Sequence, residues 1–302
     1  DLGQKLVQHP DVKAIGFTGS LKAGNAIYKS AAQRSEPIPV YAEMGSVNPV
    51  FLLSGKVNNS PEELAEQYSQ SVTLGNGQFC TKPGLLIGVK SEGLNSFKIK
   101  LAGLLNDYTP DCMLNEGIAK NYAGKRDHFF NLQEVQTLTN GANEEGLNRA
   151  ASLASVDASH FLSNKELWEE VFGPFTLVVE CEDDEQLKTL AKNLKGQLTI
   201  TLMGEEYELN EQSELLHLCR QRAGRIIFNG VPTGVAVVPS MHHGGPYPAT
   251  TDSKFTSVGT GAIRRFTRPV AFQDVNEKLL PDELKSDNPL DIWRLVNGTF
   301  QK

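Results

Sequence analysis

The sequence predicts an α/β protein built from strand–helix–strand units. Three observations carry this expectation. Strand-type and helix-type segments alternate from the first residues onward. The strand candidates are short apolar runs, several with a glycine at their exit. Hydrophobic residues at 39% and charged residues at 22% describe an ordinary globule, with a core that needs no staples at 302 residues.

The elements follow in order. DLGQKLVQHP reads as a helix already under way and halted by Pro10, so the N-terminus looks like a cut. Val12–Gly19 is a buried strand, and Ser20–Arg34 a helix with Ser20 at its N-cap. Ile38–Met44 and Pro49–Ser54 are two further strands. Pro61–Leu74 is a helix with proline in its first turn and two early glutamates favoured by the helix dipole. Gly84–Val89, Phe175–Cys181, Gln197–Met203 and Arg225–Gly230 are strands, interspersed with helices at Glu185–Leu194 and Glu211–Arg222. From Pro246 onward the chain reads as extended loop, with an edge strand at Arg265–Val275.

A net charge of −7 argues against a nucleic-acid partner, which needs a clustered basic surface. Arg264, Arg265 and Arg268 make only a short basic cluster, read as one face of an exposed segment. No apolar run approaches the roughly 20 residues of a spanning helix, so no membrane association is expected. Cys80, Cys112, Cys181 and Cys219 form no CxxC pair and share no regular spacing with the six histidines. Neither a metal site nor a disulfide framework is signalled, and a reducing cytoplasmic location is the expectation. Asn297-Gly298-Thr299 matches a glycosylation triplet, a pattern that arises often by chance.

Four stretches could carry chemistry. In FTGSLKAG (Phe17–Gly24) a strand exits through Gly-Ser into a helix whose free amides could receive a phosphate, although plain capped turns are common. In VYAEMGSVNP, Glu43 sits at the end of an apolar strand. Burial there would raise its pKa toward that of a general base, unless the side chain points outward. In TLGNGQFCTKPG, Cys80 follows Gly75 and Gly77, which permit unusual backbone angles and close ligand approach. A bare cysteine is more often a small apolar filler, the reading given to Cys112, Cys181 and Cys219. In EEVFGPF (Glu169–Phe175) a carboxylate and an aromatic ride on one rigid turn, suited to a cofactor's ribose and ring or to an ordinary loop.

Together, in this order, FTGS, E-M-G, G-Q-F-C and E-V-F-G-P resemble the landmarks of the aldehyde dehydrogenase superfamily. The resemblance continues through FNGVPTGVAVVPSMHHGGPYPAT. AEMGSVNPVFLL, GNGQFCTKPG and RRFTRPVAFQD look most like the branch that oxidises alpha-ketoglutarate semialdehyde. It implies an aldehyde-dehydrogenase-like fold: a Rossmann-type cofactor domain, of which residues 1–48 would be the remainder, a larger α/β catalytic domain at 49–262, and a C-terminal segment at 263–302 with an oligomerisation strand.

The resemblance implies NAD(P)-dependent oxidation of a small-molecule aldehyde to a carboxylate by a homo-oligomer, with NADP or NAD as cofactor. Cys80 would be the nucleophile, passing through a thiohemiacetal and a thioester, and Glu43 the deacylation base. Gly19, Ser20 and Gly24 would meet the cofactor phosphates, and Glu170 and Phe172 its ribose and nicotinamide. Ser46 replaces the glycine commoner in the family. The family's upstream strands, adenosine contacts and an oxyanion-hole asparagine are expected before Asp1. Two other readings stay open. One is a truncated, catalytically incompetent fragment. The other is a cofactor-independent thiol hydrolase or acyltransferase, for which His242-His243 is the suggestive pair, though two loop histidines in a Gly-Pro turn read more simply as structural.

Overall fold

The computed structural model describes residues 2–142 and 144–302. Two compact units divide the chain, Asp1–Arg265 and Phe266–Lys302. In the first, strand β1 (Ile15–Thr18) crosses over through helix Leu21–Ala32 to β2 (Val40–Glu43), with which it pairs in parallel. Val7, Ala31, Val40, Ala42 and Met44 form a small core under this layer. The helix at the start spans Leu2–Gln8, and Asp1 lies outside the described residues.

The main sheet has seven strands: β3 (Pro49–Leu52), β4 (Leu85–Val89), β6 (Gln136–Thr139), β8 (Ser152–Asp157), β9 (Phe175–Cys181), β10 (Gln197–Met203) and β11 (Ala223–Phe228). Their spatial order is β11-β10-β3-β4-β9-β8-β6, and only β6 runs antiparallel to its neighbour. Strands covered on both faces must be apolar throughout, which is why they read as continuous runs. Phe51, Ile87, Val179 and Ile200 enter one core cluster, with helices Glu116–Phe130 and Asp184–Asn193. Val50, Leu52, Leu86 and Val178 point the other way, onto helices Pro61–Thr73 and Glu92–Asn106. Short strands β5 (Asp111–Cys112) and β7 (Asn148–Arg149) pair antiparallel outside the sheet.

The structure corrects three sequence expectations. The helix expected over 211–222 is two helices, Glu206–Glu211 and Ser213–Arg220, broken at Gln212. Cys112 is exposed rather than packed, unlike Cys181 and Cys219. The edge strand expected over 265–275 does not form. A 3-10 helix occupies Thr260–Phe266, and irregular chain follows. Pro269 has no amide to donate and Asp274 sits at φ +52°, so neither continues a ladder. The second unit instead holds a hairpin, β12 (Arg294–Val296) with β13 (Thr299–Gln301), turned by Asn297-Gly298 at φ +51° and +82°. Among the described residues no helix is long and apolar enough to cross a membrane.

Candidate active site

Three distant segments converge at the end of β2. Glu43, its last residue, is buried, and the chain continues through Gly45 to Asn48 into β3. Gln197 fastens that link, its carbonyl oxygen accepting from the Val47 and Asn48 amides at 2.9 and 3.2 Å. Ser46 is buried there, its hydroxyl oxygen accepting from the Leu198 amide at 3.0 Å, so the substituted position is knitted into the sheet. Asn48, at φ +47°, donates to the carbonyls of Cys80 at 2.9 Å and Lys82 at 3.0 Å. This ties the cysteine loop to the strand that carries the carboxylate.

Cys80 arrives by a turn that only a glycine-rich sequence makes easily. Gly75, Asn76 and Gly77 take φ of 57°, 53° and 66° after helix Pro61–Thr73. A Cβ on Gly77 would stand 2.3 Å from the Gly173 carbonyl, so the missing side chain is what lets this turn dock on the Phe-Gly-Pro loop. The third segment brings His243. Gly245 lies flush on the strand end, where a Cβ would meet the Gln197 carbonyl at 2.0 Å. The His243 amide donates to Thr256 Oγ1 at 2.9 Å, and the Ser257 amide donates to the His243 carbonyl at 2.8 Å.

Their side chains meet. His243 Nε2 is 3.1 Å from Cys80 Sγ and 3.1 Å from Glu43 Oε1, and Ser257 Oγ donates to the other Glu43 oxygen. Glu43 and His243 are buried and Cys80 is half-buried. Burial works against charge on Glu43, as the sequence reading expected, but the hydrogen bond and charge of His243, with help from Ser257 and Cys80, outweigh it. The carboxyl is therefore held below its usual range, which reverses the expected direction. On His243 burial again opposes charge, yet the hydrogen bonds to Cys80 and Glu43 prevail and raise the imidazole to about 9. The raised imidazole thus faces the Cys80 sulfur at 3.1 Å. A pocket of ≈ 10 Å³, near the space one water needs, borders Glu43 between Tyr41, Phe255 and Ser257.

His243 is thus no simple loop histidine: the sequence offered His242-His243 as a partner pair for Cys80 but favoured a structural role, and its contact with Glu43 was not foreseen. The available signal was its glycine-rich flank. Arg225 was also missed: burial lowers its pKa while nearby Cys80 opposes that shift, and its Nε is buried without a partner among the described residues. Its Nη2 donates to the Pro232 carbonyl at 2.9 Å.

The expected cofactor contacts fall around the same strand ends. The Gly19 amide donates to the Glu43 carbonyl at 3.1 Å, so the first motif abuts the second. Ser20 caps helix Leu21–Ala32, its Oγ accepting from the Ala23 amide at 3.3 Å on an exposed helix start. Gly24 is buried one turn further on and faces the sheet, where a Cβ would strike the Met44 sulfur. Its place is helix–strand packing rather than the helix mouth. Glu170 turns inward: its Oε2 lies against Gly45, and the Ser46 amide bonds it. Desolvation raises its carboxyl to about 7 against the pull of Lys82 and Lys125. Lys82, fully buried, donates to the Val171 and Phe175 carbonyls at 3.1 and 2.6 Å, pinning the loop that carries Glu170 and half-buried Phe172.

Known proteins share this sequence and frame. Residues 1–116 match the model of the "Aldehyde dehydrogenase family". The chain is 46% identical over 301 residues to the alpha-ketoglutaric semialdehyde dehydrogenase of Acinetobacter baylyi, covering 99% of this chain and 57% of that protein. It is 41% identical to alpha-ketoglutaric semialdehyde dehydrogenase 2 of Azospirillum brasilense, covering 98% of the chain and again 57% of the relative. The chain thus spans little more than half the length of these curated relatives. In fold it resembles the 1-pyrroline-5-carboxylate dehydrogenase from Thermus, with bound NAD, at TM-score 0.72 and 21% identity over 88% of this chain and 51% of that one. It also resembles proline utilization A from Bdellovibrio bacteriovorus, at TM-score 0.74 and 20% identity over 89% of this chain and 28% of that one. The ordered motifs, the α/β frame and the likeness over nearly the whole chain agree: residues 1–116 carry the pattern of the aldehyde dehydrogenase family, and the chain is similar over 98–99% of its length to two of its semialdehyde dehydrogenases.

Proposed function

We propose that this chain carries the covalent chemistry of NAD(P)-dependent oxidation of an aldehyde to a carboxylate, with alpha-ketoglutarate semialdehyde as the favoured substrate. The observation that carries the reading is the contact of Cys80 and Glu43 through His243. The substrate follows the names of the two semialdehyde dehydrogenase relatives.

The capped, exposed helix start at Ser20, on a turn bonded to Glu43, fits the phosphates of a dinucleotide. Glu170 and Phe172, held on the Lys82-pinned loop, would meet its nicotinamide end. Bound NAD or NADP supplies a hydride acceptor. The chain's own residues do the rest. His243 takes the Cys80 proton, and the thiolate attacks the aldehyde carbon to give a thiohemiacetal oxyanion. Loss of hydride from that carbon leaves a thioester on Sγ. A water then attacks the thioester, giving its proton to Glu43 as the C–S bond breaks and the thiolate leaves. Ser257 and His243 hold the Glu43 carboxylate toward this task.

The test is to mix the chain with alpha-ketoglutarate semialdehyde and either NAD or NADP, and to follow reduced cofactor and a Cys80 acyl adduct by mass spectrometry. A Cys80 acyl adduct accompanied by reduced cofactor, which accumulates as deacylation proceeds, supports the reading, and neither forming contradicts it. The Cys80–His243–Glu43 contact also favours a second reading, hydrolysis of activated esters without a dinucleotide. Ester turnover that persists while cofactor reduction stays absent would favour that one. We place self-association in the C-terminal unit, where Phe272, Leu279, Trp293 and Phe300 are exposed, and the protein in the cytoplasm. Analytical ultracentrifugation of the chain with and without residues 266–302 tests the first, and fractionation of cells the second.

A further inference from the structure

We propose that Cys80, His243 and Glu43 form a binding site for a borderline-soft divalent cation, zinc being the fitting ion, whose occupancy silences the nucleophile. Each residue offers one ligand atom, and the three atoms lie within 4.8 Å of one another. Tetrahedral zinc sets its sulfur, nitrogen and oxygen ligands about 3.4–3.6 Å apart, from bond lengths of about 2.0–2.3 Å. The Sγ–Nε2 and Nε2–Oε1 separations are both 3.1 Å, so these two pairs need to part by only a few tenths of an ångström, and Sγ and Oε1 lie within 4.8 Å of each other.

The donor set also has the right chemistry. One thiolate, one imidazole and one carboxylate suit zinc or cobalt and leave the hard cations magnesium and calcium poorly served. Three protein ligands leave a fourth position for water, as in open zinc sites. The supports of an organised site are present. Ser257 Oγ bonds the non-ligating Glu43 oxygen, and the backbone of His243 is fixed to Thr256 and Ser257. Cation binding replaces the proton shared between Sγ and Nε2, which leaves to solvent. A metal-bound sulfur no longer attacks carbon, so zinc acts as a reversible blocker of Cys80 chemistry. The inference concerns binding at the cluster and holds whatever electrophile the thiolate serves.

Isothermal titration of the chain with Zn²⁺, and absorption spectra with Co²⁺, read the site directly. One equivalent should bind, the Co²⁺ complex should show a thiolate charge-transfer band, and Zn²⁺ should protect Cys80 from iodoacetamide. Cys80→Ala and His243→Ala, checked for folding by circular dichroism, should each weaken binding about 100-fold or more, and Cys80→Ala should remove the band. Cys112→Ala should change neither. Binding that survives both site variants, a Co²⁺ spectrum without thiolate character, or unprotected Cys80 under saturating Zn²⁺ would overturn the proposal.

Discussion

His243 sets the charge state of the site, and its titration should be visible in stability. Its folded value of about 9 lies above the ordinary 6.5, so its contribution is fully present below about 6.5 and lost as pH rises through about 9. Glu43 is shifted downward from 4.5, so its contribution is present above that value and is lost only as acid carries the pH through its lowered folded value. The melting temperature should therefore hold between about 4.5 and 6.5 and decline toward 9, with a shallower alkaline decline in His243→Asn. Melts of both proteins across this range check it, and parallel declines would remove His243 as the cause. Glu43→Gln should still release a burst of reduced cofactor and then stall, with steady turnover down about 10²–10⁴-fold, because deacylation alone is deprived of its base. Rapid-mixing kinetics separate the two phases. Cys80 and Glu43 were legible in sequence because each sits inside an ordered run of motifs. His243 was legible only as one of a suggestive pair and was set aside as structural, since its role is created by contacts 163 and 200 positions away.

The turn before Cys80 has two requirements at once, a left-handed backbone and room for another chain. Gly77→Ala violates both, at φ +66° and with its Cβ 2.3 Å from the Gly173 carbonyl, and should cost roughly 1–3 kcal/mol or more while displacing Cys80. Gly103 is the contrast: it lies exposed within helix Glu92–Asn106, and nothing stands within 4 Å of an added Cβ. Gly103→Ala should stabilise by roughly 0.5–1 kcal/mol. Urea unfolding of the pair measures the difference, and equal effects would sink the argument. The strands of the main sheet were readable at this scale because continuous apolar runs announce strands buried on both faces. The C-terminal hairpin was equally announced by Asn297-Gly298, a favoured two-residue turn, and was passed over as a glycosylation triplet. The run Arg265–Val275 misled through its strand-favouring Phe266, Thr267, Val270 and Phe272, although Pro269 counted against a paired strand.

At the scale of the molecule, the order β11-β10-β3-β4-β9-β8-β6 puts late strands beside early ones, with β3, the strand that follows Glu43, between β4, which follows Cys80, and β10, whose neighbour β11 precedes His243. Motifs alone do not reveal that order, because it is fixed by which faces bury against which helices. Amides of Val50–Leu52, Leu85–Ile87 and Ile200–Leu202, all buried, should exchange with solvent only on global unfolding. Those of Phe266–Lys302, which holds no buried residue, should exchange much sooner. The central claim is that Cys80, His243 and Glu43 act as one unit. Per-cysteine alkylation by iodoacetamide at neutral pH, read by peptide mass spectrometry, tests it most directly. Exposure alone favours Cys112, and burial pushes the thiols of Cys181 and Cys219 up to about 12. The account predicts that half-buried Cys80 nonetheless reacts at least about tenfold faster than Cys112, and that His243→Asn abolishes the advantage. A Cys80 no faster than Cys112, or one indifferent to the loss of His243, would contradict it.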